Sequence, residues 1–205
     1  MEIRKLGSIQ LDAIKEVANI GACHAATALS ELTGEKVMVN VPEIKINPIE
    51  EAFGLVAKPE DIVAGILIYF LGDMTGRTLL MFPQEAALHL TDCLLRRPVG
   101  ATTAFTEIEE SALKEVSNVL TCAYMNALGD LLGLMVVPSV PSMTVDMASA
   151  VLQTVSLDFG NDKDLVICIQ TEFRFVEKNT VLHGYFLLLP DPDSVSVILK
   201  AIHLD

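Results

Sequence analysis

Glu16 and Asn19 stand three residues apart in IQLDAIKEVANIGACHAATALSEL (9–32), and Glu115 and Asn118 stand three apart in IEESALKEVSNVLTCAYMNALGDL (108–131). On a helix that spacing puts both members of a pair on one face. An asparagine cannot titrate or attack; it only donates and accepts hydrogen bonds. An ordinary exposed carboxylate is a weak general base at neutral pH. Neither residue type is a self-sufficient catalyst. One chemistry does suit the pair. A phosphoryl group already activated, as an aspartyl phosphate with bound Mg²⁺, needs only a water held in line. A side-chain amide can hold that water, as glutamine does in GTPases, while the carboxylate docks on a cation of the phosphorylated protein. The metal and the leaving carboxylate would then belong to the substrate, and this chain needs no cofactor of its own.

Other constellations are missing from the sequence. The histidines His24, His89, His183 and His203 have no ligand spacing, and GxSxG, GxGxxG and P-loop motifs do not occur. His24 sits at the edge of the first run and is matched by Ala123 in the second, which makes it a packing or surface residue. Taken alone, each Glu–Asn pair reads as an ordinary solvated pair. Their recurrence weighs against that reading.

The recurrence is part of a longer one. Sliding the chain by 99 residues pairs 9–44 with 108–143 without a gap, and 14 of those 36 positions are identical. Lys15/Lys114, Glu16/Glu115, Asn19/Asn118, Cys23/Cys122 and Pro42/Pro141 are among them, whereas core positions such as Gly21/Leu120 differ. The pattern predicts an internal duplication, approximately 8–100 and 106–205, within one domain spanning 1–205.

Each copy opens with a long helix and stops it at a glycine, Gly34 or Gly133; Thr106 with Glu109 forms a capping box for the second. At about 100° per residue, Leu11, Ile14, Ala18, Gly21, Ala22, Ala25, Leu29 and Leu32 share one face. Asp12, Glu16, Asn19 and Cys23 fall opposite, as do Ser111, Glu115, Asn118 and Cys122. β-Branched runs at 36–46, 62–70 and 77–82, and again at 135–145, 165–176 and 185–189, predict three strands per copy. Shorter helices at 84–97 and 194–203 close the copies. The expected fold is mixed α/β (α+β): two pseudo-symmetric α-β-β-β-α repeats sharing one sheet, with the motifs on the two long helices.

Composition narrows the partners. A net charge of −13 disfavours nucleic acid and anionic membrane surfaces, and spreads over the chain as a self-repelling surface. The longest apolar run, IVAGILIYFL (62–71), is well short of the roughly 20 residues that span a bilayer. The N-terminus has no signal-peptide pattern, and the four cysteines, Cys23, Cys93, Cys122 and Cys168, are widely spaced. Reduced thiols in a cytoplasm are expected.

The pattern Asp/Ser-x₃-Glu-x₂-Asn-x₂₂-Pro occurs as Asp12, Glu16, Asn19, Pro42 and again as Ser111, Glu115, Asn118, Pro141. Together with NIGACHAATALSELTG (19–34), it resembles the CheC family of chemotaxis phosphatases, over essentially the whole chain. The resemblance implies hydrolysis of the aspartyl phosphate of the response regulator CheY, with Glu16/Asn19 and Glu115/Asn118 as two catalytic sites, and Asp12, Pro42, Ser111 and Pro141 as supporting residues. It implies Mg²⁺ supplied by phosphorylated CheY, and the deamidase CheD as a regulatory partner. The alternative is a non-enzymatic module of the same fold, either a flagellar-switch subunit or a regulator that sequesters CheD. For CheD, the copies diverge most after the motif proline. The stretch 143–159 is read either as a short helix exposing Met143, Met147 and Val151 with Gln153 nearby, an adaptable contact surface, or as an apolar strand packed in the core.

Overall fold

The computed structural model describes residues 8–156, 165–191, 193, 194 and 197. Two 26-residue helices dominate it, α1 (Ser8–Thr33) and α4 (Glu107–Leu132). The start of α4 is fixed by its capping box: the Thr106 N–H donates to Glu109 Oε2 at 2.9 Å, and the Thr106 hydroxyl bonds the same oxygen. Glu107, Glu109 and Glu110 in the first turn add favourable charge at the positive end of the helix dipole. Both helices end at their glycine in the left-handed conformation, φ +72° at Gly34 and +67° at Gly133, which returns the chain toward the sheet.

The strands are β1 (Val37–Pro48), β2 (Ile62–Gly72), β3 (Gly76–Pro83), β4 (Val136–Pro138), β5 (Ser142–Met147), β6 (Leu165–Phe175) and β7 (Thr180–Pro190). They form one antiparallel sheet in the order β1-β6-β7-β3-β2-β4, with β5 also on β2. The sheet crosses between the halves of the sequence: β1 lies on β6, and β4 and β5 lie on β2. Each edge strand is therefore held by the other half of the chain, and β3 against β7 joins the halves at the centre.

Shorter helices among the described residues are α2 (Ile49–Val56), α3 (Gln84–Leu94) and α5 (Ala148–Ser156). The sequence predicts α3, leaves 143–159, where α5 forms, open between helix and strand, and does not predict α2, so the first half runs α-β-α-β-β-α rather than α-β-β-β-α. The strand predicted at 135–145 is two short strands, and the helix predicted at 194–203 falls largely outside the described residues.

Strand alternation divides the core in two. Ala64, Ile66, Ile68, Phe70, Leu80, Phe82, Phe173 and Phe186 face α1, α3 and α4. On the opposite face Val63, Leu79, Met81, Val166 and Leu187 meet Val56 of α2 and Val151 and Val155 of α5. The motif helices thus lie together on one side of the sheet, anchored by the larger core.

Candidate functional site

The helices α1 and α4 pack on each other. Ala18, Ala22 and Ala25 are buried, and a Cβ on Gly21 would lie 2.5 Å from the Tyr124 ring. Such small residues let the backbones approach closely, and Tyr124 fills the seam, its ring 4.6 Å from that of Phe186. Burying this face turns the opposite one outward. Asp12, Lys15, Glu16, Asn19 and Cys23 are all exposed on α1. Leu32, assigned to the inner face by the helical period, is 41 % exposed.

On α4, Ser111 and Glu115 are exposed, but Asn118 and Cys122 are half-buried. The two pairs are not equivalent. The Cys122 thiol donates to Asn118 Oδ1 across 3.8 Å, while no such bond joins Cys23 to Asn19 among the described residues. Burial, and then the charge of Glu115, push the Cys122 thiol above its ordinary value, so it stays protonated and able to donate. Sequence reasoning places Cys122 on the motif face but assigns it no role; the signal was a cysteine one turn after each asparagine.

The motif prolines occupy matching places. In the β1–β6 ladder the register slips between Asn40 and Glu43, so Val41 and Pro42 face Thr171 alone. Across β4 and β5, Ser139, Val140 and Pro141 face Ile68 and Tyr69, between the pairs Phe70–Pro138 and Leu67–Ser142. A bulge tolerates a residue that cannot donate to the ladder. At the second bulge the Ser139 hydroxyl accepts from the Tyr69 N–H at 3.0 Å and the Ser139 N–H donates to the Tyr69 carbonyl at 2.8 Å. Pro42 is exposed and Pro141 half-buried.

The expected contact helix at 143–159 is only partly present. Met143 and Met147 belong to β5, and α5 begins after them. Val151 does not contribute to a surface: it is 4 % exposed and packs against Gly65 of the sheet, where a Cβ would lie 2.7 Å from it. Met143 is half-buried against the larger core, which leaves Met147 and Gln153 exposed. Residues 157–159 lie outside the described residues. Among the described residues no group of three or more His, Cys, Asp or Glu side chains could hold a metal ion, and no helix is long and apolar enough to cross a membrane.

Residues 9–46, which hold the first motif complete to its proline, match the CheC-like family model. The CheY-P phosphatase CheC of Bacillus subtilis (strain 168) is 30 % identical over 195 residues, covering 94 % of this chain and 93 % of that protein. The flagellar motor switch phosphatase FliY of the same organism is 33 % identical over 121 residues, 57 % of this chain and 30 % of FliY. Among solved structures, Thermotoga maritima FliY superposes with a TM-score of 0.81 at 18 % identity, covering 97 % of this chain and 98 % of that one. A Helicobacter pylori FliG–FliM complex gives 0.70 at 13 % identity, over 95 % and 100 % of the two chains. At those identities the structures bear on the fold alone. The extent of the Bacillus CheC match, carried by a chain with the motif written twice, shows that this protein belongs to the CheC-like family.

Proposed function

We propose that the protein is a phosphatase for the aspartyl phosphate of a CheY-type response regulator, acting through Glu16/Asn19 and Glu115/Asn118. The observation that carries the reading is that each pair lies on the outer face of a helix whose inner face is locked into the core. The name of the Bacillus relative, CheY-P phosphatase, supports the substrate. A projecting helix suits a phosphoryl group seated on another protein, because the catalyst must be carried to it.

In this reading the glutamate pairs with a cation of the regulator and sets the helix's position. The asparagine amide then orders a water in line with the phosphorus. The water oxygen bonds to phosphorus as the bond to the aspartyl oxygen breaks, giving the free carboxylate, inorganic phosphate and a released proton. Mg²⁺ belongs to the regulator and balances charge on the phosphoryl oxygens. Asp12, Ser111 and the bulges at Pro42 and Pro141 support the two helices' settings. The reading takes the chain as one domain of two duplicated halves, approximately 8–100 and 106–205, working in the cytoplasm where such regulators act. It also takes CheD as a second partner, on the exposed surface that Met147 and Gln153 retain.

The test is phosphate release from phosphorylated CheY with Mg²⁺, with and without the protein. Release should accelerate in proportion to the protein added; an unchanged rate would overturn the reading.

A further inference from the structure

We propose that Cys122 is a positioning residue of the second site: its thiol holds Oδ1 of Asn118 and so restricts the amide to one orientation. This rests on the phosphatase reading above and deepens it. The Cα–Cβ bonds of a helix tilt toward its N-terminus, so the side chain at 122 leans back over the one at 118. The contact of 3.8 Å from Cys122 Sγ to Asn118 Oδ1 is the result.

The consequence follows from the amide's geometry. The terminal torsion of an asparagine is broad and roughly two-fold, so a free amide exchanges its oxygen and nitrogen ends. Only one arrangement presents a given mix of donor and acceptor to a water. With one lone pair of Oδ1 engaged by the thiol, the second remains for the water's proton and the NH₂ group faces away from Cys122. Half-burial of both residues limits competition from solvent. At the first site Asn19 and Cys23 are both exposed and not bonded to each other, so Asn19 must be ordered by the docked partner instead. Identical motifs thereby give a pre-set site and a site set on docking.

The experiment uses the full chain with Asn19→Ala, so that only the second site works, and reads phosphate release from phosphorylated CheY with Mg²⁺. Adding Cys122→Ala should lower kcat about two- to tenfold, the worth of an ordinary intramolecular hydrogen bond, with KM unchanged. Cys122→Ser, which keeps an O–H donor, should recover most of the loss. In the mirror background, Asn118→Ala, adding Cys23→Ala should leave kcat unchanged. An unaltered kcat for Cys122→Ala, equal losses for the Ala and Ser variants, or an effect confined to KM would overturn the role of Cys122. A parent chain without activity would overturn it as well. Absence of release by the wild-type chain would instead break the phosphatase reading itself.

Discussion

A glutamate and an asparagine three positions apart were legible as a candidate site because the sequence carries the pair twice, each time on a helix face where nothing in the core requires it. What the spacing could not show was depth. Asn19 is exposed and Asn118 half-buried, a difference set by how far each helix tucks against its neighbours. The glutamates are predicted to act in docking. Glu16→Gln with Glu115→Gln should raise KM for phosphorylated CheY and weaken the salt dependence of kcat/KM, because a charge pair with the regulator is lost. A fall in kcat with KM and salt dependence intact would assign the glutamates a direct chemical role instead. At the same scale the expected exposure of Val151 does not hold, since it lies in the core. Met147, still exposed, carries the remaining prediction: Met147→Glu should weaken CheD binding while phosphate release stays at the wild-type rate, and unchanged affinity in the folded variant would remove that surface.

The long helices were readable from their period, their terminal glycines and the capping box, all local signals. Of the short ones, α3 was readable, α5 only as one of two readings of 143–159, and α2 not at all. The acidic stretch 47–61, with Pro48 and Pro59, carries no predicted element, yet IEEAFGLV forms α2, and its Val56 joins the core beneath the sheet. After β5 the alternating pattern runs directly into α5, where Ala148, Val151 and Val155 meet the sheet at helical spacing. Both depend on a sheet face that the sequence does not display. The capping box, by contrast, makes a measurable prediction. The Thr106 hydroxyl and then Arg97, whose guanidinium lies 2.6 Å away, hold the Glu109 carboxyl down to about 2 from an ordinary 4.5. A depressed carboxylate stabilises the fold fully above its unfolded value and loses that contribution as pH falls toward its folded one. The stability gap between wild type and Glu109→Gln should therefore be constant from neutrality to about pH 5 and shrink between 4.5 and 2. Denaturant titrations at several pH values measure it, and a gap independent of pH would show that the charge is not what holds the cap.

Across the whole molecule, the duplication expected from the sequence predicted a shared sheet but not the exchange of its edges. Sequence identity between copies says nothing about which copy a strand pairs with, and the observed order sends β1 to β6 and β5 to β2. A fragment of residues 1–103 would leave β1 without its ladder and β3 without β7, so it should show no cooperative unfolding alone and regain it when mixed with 104–205. A cooperative transition from the isolated fragment would mean that each half folds independently. The same interlocking keeps the two motif helices in fixed settings on one layer, and the function proposed here depends on it. The most direct measurement is phosphate release from phosphorylated CheY by the chain carrying both Asn19→Ala and Asn118→Ala, with folding checked by its unfolding transition. Both side chains lie outside the buried core, so the fold should persist while the rate falls by about 10²–10³, the usual cost of removing a group that acts at the transition state. Turnover near the wild-type rate by that folded variant would contradict the account.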